Sequence, residues 1–263
     1  MRQGRAARRR TRNMRLPGKV ALITGAGAGI GAEIAARFAA EGARVSVGDL
    51  DAAAGEATVA GIRQAGGFAR FVPLDVRDEG SWRVAVDAIR AADGRLDVLV
   101  NNAGITRRIP IAEMPLDIFE TVMAVNVRGV FLGIKTVLPL MQAQGGGSIV
   151  NISSIAGLVG HRFSNETYGA SKGAVTLLTK SVAVRYARDN VRCNSIHPCT
   201  VDTPMVRELF QDPEKQRERL GEIPLGRLAT ARDVANAALF LASDEANFIT
   251  GVALPVDGGV TAC

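Results

Sequence analysis

The stretch Lys19–Gly31, KVALITGAGAGIG, predicts the fold. Its first six residues form an apolar run of strand length, and the glycine-rich turn that follows leads into an alanine-rich helical pattern. Glycine lets the backbone approach a pyrophosphate closely, and a helix N-terminus supplies free amides and the positive end of the helix dipole. The order of strand, glycine turn and helix is typical of a dinucleotide-binding loop, although the spacing departs from the plain G-x-G-x-x-G pattern because Ile30 occupies its sixth position.

Apolar runs and helical patterns alternate along the rest of the chain. Further strands are predicted at residues 43–48, 68–74, 96–100, 148–153 and 191–196, and helices at 51–65, 79–93, 115–144, from Tyr168 to about Arg188, and at 231–242. We expect the 115–144 helix to be interrupted near Gly129 and Gly133. This alternation predicts α/β architecture: a Rossmann-type, doubly wound parallel sheet in three layers, forming a single domain over residues 15–263.

Polar residues follow several of these strands. Asp49, Asp75 and the stretch Asn101–Gly104 all come at predicted carboxyl ends, where doubly wound sheets bind ligands, so one dinucleotide would explain all three. Asp49 is placed to accept hydrogen bonds from the adenosine ribose and would repel a 2′-phosphate. No basic residue occupies Ala28 or Leu50, so we expect NAD, with NADP less favoured. A compatible alternative is that Asp49 caps the helix that begins near Asp51.

The segment Asn151–Lys172, NISSIAGLVGHRFSNETYGASK, carries the candidate chemistry. Tyr168 and Lys172 are four residues apart and would share one helix face. A neighbouring ammonium favours phenolate, so we expect a lowered pKa for Tyr168 and a role in proton transfer. The serine pair Ser153 and Ser154 would bring a hydroxyl to the same substrate oxygen. Taken alone, the Tyr–Lys pair also fits a solvated helix face.

Together these motifs resemble those of the short-chain dehydrogenase/reductase family. TGAGAGIG at 24–31, NNAG at 101–104, Asn126, Ser154, the Tyr168–Lys172 pair and the closing ITGVALPVDGG at 249–259 follow the order of that family, and the resemblance covers about residues 15–260. It implies that Tyr168 is the general acid/base, that Lys172 lowers its pKa and binds the nicotinamide ribose, and that Ser154 orients the substrate. Asn126 would hold a relay water, although a mid-helix asparagine more commonly satisfies a local backbone group.

The resemblance also implies which residues contact the cofactor. These positions are Gly25, Gly29, Ile30, Gly31, Asp49, Leu50, Asp75, Val76, Asn102, Ala103, Gly104, Tyr168, Lys172, Pro198, Val201 and Thr203. The family usually has Pro-Gly where this chain has Pro198-Cys199. Cys199 would narrow the pocket or add local strain, and we interpret it as a small residue that fits rather than as a nucleophile.

The implied reaction is hydride transfer between NAD(H) and a secondary alcohol or ketone, most similar to that of cyclic and hydrophobic alcohol dehydrogenases. Alternatives are a 3-oxoacyl-[acyl-carrier-protein] reductase, a hydroxysteroid dehydrogenase and, from another class, a cofactor-binding regulator without turnover. Residues 203–227 are predicted to form a mobile helical lid. Substrate-facing candidates are His161, Phe163, Met205 and Phe210, and of these His161 is more commonly a surface residue.

Charge and cysteine content bound the remaining possibilities. The formal net charge of +6 is matched by six arginines within residues 1–13, so the body is neutral and residues 1–14 are predicted to be a disordered basic extension. A nucleic-acid or membrane-surface arm is the alternative interpretation of that extension. Three cysteines without a CxxC pair suggest a reducing cytoplasm. We expect no membrane span, metal site or nucleic-acid partner, and family habit suggests a homotetramer.

Overall fold

The computed structural model describes residues 14–202 and 212–262. The expectations for the basic extension up to residue 13 and for Thr203, Met205 and Phe210 concern residues outside these ranges. The strands are β1 Val20–Thr24, β2 Arg44–Asp49, β3 Phe68–Pro73, β4 Val98–Asn101, β5 Gly147–Ile152, β6 Val191–Pro198 and β7 Ala253–Val256. The helices are α1 Gly29–Ala40, α2 Ala52–Gln64, α3 Glu79–Asp93, α4 Leu116–Met123, α5 Gly129–Ala143, α6 Glu166–Tyr186, α7 Pro213–Gly221 and α8 Ala231–Ala242.

The seven strands form one parallel sheet in the order β3-β2-β1-β4-β5-β6-β7. Chain order reverses between β1 and β4, which is the point at which doubly wound sheets bind ligands beyond their carboxyl ends. The predicted Rossmann-type fold is therefore confirmed. The boundary at residue 15 stays a prediction.

Side-chain alternation along β1 divides the core into two layers. Ala21 and Ile23 belong to a buried cluster that includes α1 and α8, whereas Val20 and Leu22 belong to a second cluster that includes α3 and α5. Because successive side chains of a strand point to opposite faces, an uninterrupted apolar strand requires helices on both sides. The sheet is the middle layer of three, and its polar edge is left at the carboxyl ends of the strands.

Helix capping distinguishes α1 from its neighbours. Asp51 caps α2 by accepting from the amide of Ala54, Asp78 caps α3 by accepting from Ser81, and Thr230 forms a capping box at α8. The alternative in which Asp49 caps the second helix is thereby wrong. Helix α1 has no side-chain cap, so the amides of its first turn are not satisfied by a capping side chain and remain suited to an anion.

Helices α4 and α5 are joined by a π-helical segment, Ala124–Arg128, into one continuous helix. The interruption predicted near Gly129 corresponds to this π-helical segment, which ends directly before Gly129, whereas at Gly133 the α-helix continues without a break. Close packing requires glycine at both positions. A Cβ at residue 133 would lie 2.7 Å from the Trp82 ring, and one at residue 129 would lie 3.0 Å from Cγ2 of Val76. Glycine thus lets this helix approach the β3–α3 connection.

The same helix, Leu116–Ala143, is the one stretch of the described chain that is long and apolar enough to cross a membrane by length and composition. Half of its most apolar window is buried inside the protein. Its side chains Val130, Ile134 and Val137 belong to the second apolar cluster beside the sheet. We interpret it as a core helix of the α/β domain.

The predicted lid segment, residues 203–227, is described only from residue 212 onward. It contains α7, which is mostly exposed and lies near the loop that precedes α6, since Arg162 of that loop forms an ion pair of 2.9 Å with Glu218. Movement of this segment stays a prediction.

Candidate active site

A cleft of about 390 Å³ lies beyond the carboxyl ends of β1, β4, β5 and β6. Ten of the predicted site residues line it: Gly25, Ile30, Asn102, Ala103, Gly104, Ser154, Tyr168, Lys172, Pro198 and Val201. The glycine-rich turn, the NNAG stretch and the serine, tyrosine and lysine motifs are therefore brought to one place. The other described candidates for catalysis or cofactor binding do not line this cleft: Gly29, Gly31, Asp49, Leu50, Asp75, Val76 and Asn126.

The glycine turn is held tightly against the stretch that follows β4. Gly25 has φ +61°, and a Cβ there would lie 2.8 Å from Cα of Ala103. A Cβ at Gly31 would clash with the carbonyl oxygen of Gly25. Asn102 fixes the approach, because its Nδ2 donates to the carbonyl oxygens of Thr24 and Gly25, each at 3.0 Å. The side-chain amide of Asn102 therefore stabilises the conformation of the turn. Gly25 and Gly31 are required because a side chain at either position would clash with the protein, and Gly25 also needs the positive φ that glycine allows.

Asp49 ends β2 beside the glycine turn. Its Oδ2 accepts from the amide of Gly27 at 2.8 Å and its Oδ1 from the amide of Asp51 at 3.0 Å. Leu50 is 69% exposed, so no side chain covers the carboxylate from that position. The carboxylate fixes the conformation of the turn and leaves lone pairs for a further donor.

Asp75 and Val76 lie one strand further along the edge of the sheet. The Arg77 guanidinium donates to both carboxylate oxygens of Asp75, with Nη2 2.7 Å from Oδ2, and this side-chain hydrogen bonding lowers the pKa of Asp75. The carbonyl oxygen of Val76 accepts from the Trp82 indole at 3.0 Å. Both residues have partners within the chain, and their predicted contact with a cofactor stays a prediction.

Ser154, Tyr168 and Lys172 converge at the floor of the cleft. Ser154 lies two residues after the end of β5, and its side chain is close enough to that of Tyr168 to lower the pKa of the phenol. Asn165 caps α6 by accepting from the amide of Tyr168, which places this tyrosine in the first helical turn. Nζ of Lys172 lies 5.6 Å from the centroid of the Tyr168 ring and donates to the carbonyl oxygen of Ile152 at 2.8 Å. The predicted shared face of the helix is confirmed.

The predicted lowering of the Tyr168 pKa is wrong for the protein chain alone. Burial raises the pKa of Tyr168, and the neighbouring Ser154 side chain offsets this only in part. Burial also lowers the pKa of Lys172 to about 8, because an ammonium loses its hydration there. The prediction from sequence considered only the attraction between the Lys172 ammonium and the Tyr168 phenolate. It omitted the free-energy cost of removing each charged group from water, which the structure shows to be the larger effect.

Asn126 is fully buried in the π-helical segment behind the cleft. Its Oδ1 accepts from the amide of Ile105 at 2.8 Å, and its Nδ2 donates to the carbonyl oxygen of Ile105 at 2.9 Å and to Oγ of Ser171 at 3.0 Å. The commoner role considered for it, satisfying local backbone groups, is what the structure shows. A Cβ at Gly104 would lie 3.4 Å from Oδ1 of Asn126 and 3.2 Å from Nζ of Lys172, so a glycine separates the two groups.

Comparisons with known proteins agree with this site. A family model described as enoyl-(acyl carrier protein) reductase matches residues 25–261. The chain is 45% identical over 248 residues to cyclopentanol dehydrogenase of Comamonas sp. (strain NCIMB 9872), covering 94% of this chain and 99% of that protein. It is 44% identical over 245 residues to 2,5-dichloro-2,5-cyclohexadiene-1,4-diol dehydrogenase LinX of Sphingobium indicum (strain DSM 16412), an alignment that covers 93% of this chain and 97% of that protein. It is 42% identical to the 3-oxoacyl-[acyl-carrier-protein] reductase FabG of Thermotoga maritima, covering 94% and 99%.

Solved structures show the same likeness. A Burkholderia xenovorans chain described as a short-chain dehydrogenase/reductase superposes with a TM-score of 0.91 at 42% identity, covering 95% of this chain and 98% of that one. The chain belongs to the short-chain dehydrogenase/reductase family. A gluconate 5-dehydrogenase from Burkholderia cenocepacia J2315, solved with NADP and tartrate, has a TM-score of 0.90 at 35% identity, covering 96% and 99%. As a family member, the chain is an oxidoreductase, and the resemblance drawn from the sequence is confirmed.

Two residues that contact the backbone of Ser154 and Tyr168 were not predicted from the sequence. His197, at the end of β6, is fully buried, and its Nδ1 donates to the carbonyl oxygen of Ser154 at 2.8 Å while its Nε2 lies 2.8 Å from Oγ of Ser195. Burial lowers the pKa of His197, which favours the neutral ring. Ser171 donates to the carbonyl oxygen of Tyr168 at 2.7 Å and accepts from Asn126. His197 and Ser171 thus position Ser154 and Tyr168, and only the three-dimensional contacts identify them.

Cys199 stands where the family usually has glycine, at the junction of the cleft with a second cavity. Its φ is not positive, so the strain considered for a side chain at this position is absent. Burial raises the pKa of its thiol to about 11, which keeps the thiol protonated near neutral pH and disfavours a nucleophilic role. The interpretation of Cys199 as a small residue that fits this position stays a prediction.

The charge of Lys172 can be tested by its effect on stability. Its pKa in the folded protein, about 8, lies below its ordinary value of 10.5. Between these values the unfolded chain binds a proton that the folded chain does not, so folding becomes more favourable as pH rises through this window. We expect the free energy of unfolding of the wild type, minus that of Lys172→Met, to increase from about pH 8 to pH 10 with a slope of up to ~1.4 kcal/mol per pH unit.

Urea unfolding of both proteins across this range measures the difference. Lys180→Met, which removes an exposed lysine from the same helix, is the matched control. A difference between wild type and Lys172→Met that stays constant with pH would show that burial does not lower the pKa of Lys172.

Proposed function

We propose that the protein transfers hydride between NAD(H) and a secondary alcohol or ketone, with a cyclic or otherwise hydrophobic substrate. The observation that supports this most directly is that Ser154, Tyr168 and Lys172 line the same cleft as the glycine-rich turn, with the side chain of Ser154 beside that of Tyr168. Two hydroxyls that meet at a buried point can together hold and protonate one substrate oxygen.

The residues present fit a dinucleotide. Beyond its chain neighbours and the backbone of α1, no protein atom among the described residues lies within 4 Å of the position that a Cβ at Gly29 would take, the uncapped start of α1 offers free amides for a pyrophosphate, and Asp49 lies beside the turn. Lys172 lies in the same cleft, within reach of a ribose in our proposal. When bound, the nicotinamide would supply the hydride acceptor or donor and, in its oxidised form, a positive charge in the cleft.

The chain's own groups would then hold and move the proton. Ser154 accepts or donates a hydrogen bond at the substrate oxygen, and Tyr168 exchanges a proton with it. Because burial raises the pKa of Tyr168, the phenol is protonated in the protein alone and suited to donate to a carbonyl oxygen. For alcohol oxidation, positive charge in the cleft would stabilise the phenolate. Lys172 contributes such a charge only in its protonated form, and Asn126 has a remaining lone pair on Oδ1 for a relay water.

The choice of substrate class is supported by the names of the relatives. Cyclopentanol and a chlorinated cyclohexadiene diol are both cyclic secondary alcohols. The runner-up, reduction of a 3-oxoacyl group on a carrier protein, is favoured by the FabG relative, and a hydroxysteroid remains a third candidate. A regulator without turnover is disfavoured, since the serine, tyrosine and lysine converge in one cleft.

A tetramer and a cytoplasmic location complete the proposal. An apolar groove runs along α4, the π-helical segment and α6, lined by Phe119, Met123, Val127, Phe131 and Leu178, and Phe131 is 50% exposed. Burial of this groove against a second copy would remove apolar surface from water.

The proposed cytoplasmic location is supported by the cysteines. Cys193 and Cys199 are free thiols, as a reducing compartment favours. A monomeric mass by light scattering would contradict the tetramer, and activity in a secreted fraction would contradict the location.

The general acid/base role of Tyr168 has a direct test. In Tyr168→Phe we expect kcat/KM for a secondary alcohol to fall by a factor of about 10²–10⁴, because a positioned proton-transfer group contributes about that much, while NADH binding followed by fluorescence is unchanged. Tyr186→Phe changes the only other tyrosine, at the end of α6, and is the control for loss of a phenolic hydroxyl. Full turnover in Tyr168→Phe would remove the proposal.

Cofactor preference tests the role of Asp49. We expect the wild type to use NAD better than NADP, because the Asp49 carboxylate would repel a 2′-phosphate. Asp49→Asn removes that charge and should shift the NADP/NAD ratio of kcat/KM toward NADP by about tenfold or more, equivalent to about 1.4 kcal/mol. Asp51→Asn, in the same loop, should leave the ratio unchanged. A wild type that prefers NADP would refute the NAD assignment, and the gluconate 5-dehydrogenase structure with NADP makes this measurement necessary.

A further inference from the structure

A second cavity of about 200 Å³ adjoins the catalytic cleft. The two spaces share Ser154, Tyr168, Cys199 and Thr106, so a molecule whose oxygen reaches the two hydroxyls can extend into the second cavity. Arg108, His161, Phe163 and Arg219 also line this cavity. Of the substrate-facing residues predicted from sequence, His161 and Phe163 therefore lie here, and neither arginine was predicted.

Arg219, on α7, is held in the wall of this cavity without a carboxylate of its own. Its guanidinium lies 3.6 Å from the centroid of the Phe163 ring, and its Nη2 donates to the carbonyl oxygen of Phe163 at 3.4 Å. In the part of the chain that the structure describes, no carboxylate oxygen lies within 4.0 Å of it. Partial burial lowers the pKa of Arg219, which is the cost of holding a cation away from water.

The nearest carboxylates are already engaged by other groups. Glu218 lies 2.9 Å from the guanidinium of Arg162, and Glu222 lies 3.4 Å from the same guanidinium and 3.5 Å from Nε2 of His161. Burial lowers the pKa of His161, so its ring is neutral near pH 7. Arg108 is exposed at the cavity and has no ion pair among the described residues. Among the described residues, three guanidinium groups thus face two carboxylates, and one positive charge is left over although Glu222 also attracts Arg219.

A surplus guanidinium beside reacting hydroxyls has a clear chemical complement. A guanidinium binds carboxylate and similar oxyanions through two parallel hydrogen bonds, and partial exclusion of water strengthens them. The cation–π contact with Phe163 holds the planar fork in a fixed orientation before any ligand arrives. A neutral alcohol would leave this partly buried charge without an ion-pair partner among the described residues.

We propose that the substrate of this dehydrogenase carries an oxyanion group, a carboxylate or its equivalent, bound by Arg219 with Arg108 at the mouth of the cavity. The substrate is then a hydroxy acid or oxo acid whose secondary alcohol or ketone lies between Ser154 and Tyr168. This inference rests on the proposed oxidoreductase function and narrows its substrate class.

The test compares an anion with its neutral isostere in binding, apart from turnover. Calorimetric titration of the full-length protein saturated with NADH would use cyclohexanecarboxylate and cyclohexanecarboxamide, which differ in charge and little in shape. We expect the carboxylate to bind at least about tenfold more tightly, the effect of roughly one charge-assisted pair. Arg219→Gln should bring the ratio to about one, and Arg219→Lys, which keeps the charge without the fork, should retain part of it.

Arg217→Gln is the matched control, because Arg217 is exposed on the same helix and does not line the cavity. Equal binding of the two probes by the wild type, no detectable carboxylate binding, or an unchanged ratio in Arg219→Gln would each overturn the proposal. In parallel, kcat/KM is measured for 4-hydroxycyclohexanecarboxylate, its amide and cyclohexanol. Carboxylate-selective binding without turnover of any alcohol would count against the oxidoreductase proposal alone, whereas turnover that shows no preference for the anion would count against this inference alone.

Discussion

The hydrogen bond from Nζ of Lys172 to the carbonyl oxygen of Ile152 fixes the rest of the site. It joins the first half of α6 to the last residue of β5, across the carboxyl edge of the sheet. A buried amine without a partner is costly, so this contact restricts where the helix can lie. Tyr168, one turn earlier, is then placed beside Ser154, which lies two residues after the end of β5. The same burial that fixes the amine lowers its pKa, so position and protonation are set together.

The other half of the site depends on the glycine turn. Parallel strands bring the ends of β1 and β4 together, and Asn102 joins them through two hydrogen bonds to the carbonyl oxygens of Thr24 and Gly25. Thr24 adds a third link, since its hydroxyl accepts from the amides of Asn102 and Ala103, both at 3.0 Å. The turn is therefore rigid before any ligand binds. A preorganised loop loses little conformational entropy on binding, which suits a cleft that must hold a long, flexible dinucleotide.

Sequence patterns predicted what short-range physics determines. Buried parallel strands are continuous apolar runs, so their positions were found to within two or three residues. The start of α3 was predicted correctly at residue 79, and its cap, Asp78, is a local contact. Long-range effects were missed. Gly129 and Gly133 look like helix breakers along the chain, yet they make room for Val76 and Trp82. The direction of the Tyr168 pKa shift and the roles of His197 and Ser171 likewise depend on burial and on contacts between distant residues.

The groups that would carry out the reaction line the catalytic cleft, whereas the groups that we propose select the substrate line the second cavity. Ser154, Tyr168 and Cys199 line both the catalytic cleft and the second cavity, so they lie where the two spaces meet. Residues on the cleft side belong to motifs with fixed spacing, because the geometry of proton transfer allows little variation. Residues on the other side come from loops and from α7, which tolerate change because only the shape and charge of one substrate constrain them. The motifs therefore identify the reaction, whereas the substrate depends on side chains such as Arg219 and Phe163 that no motif contains.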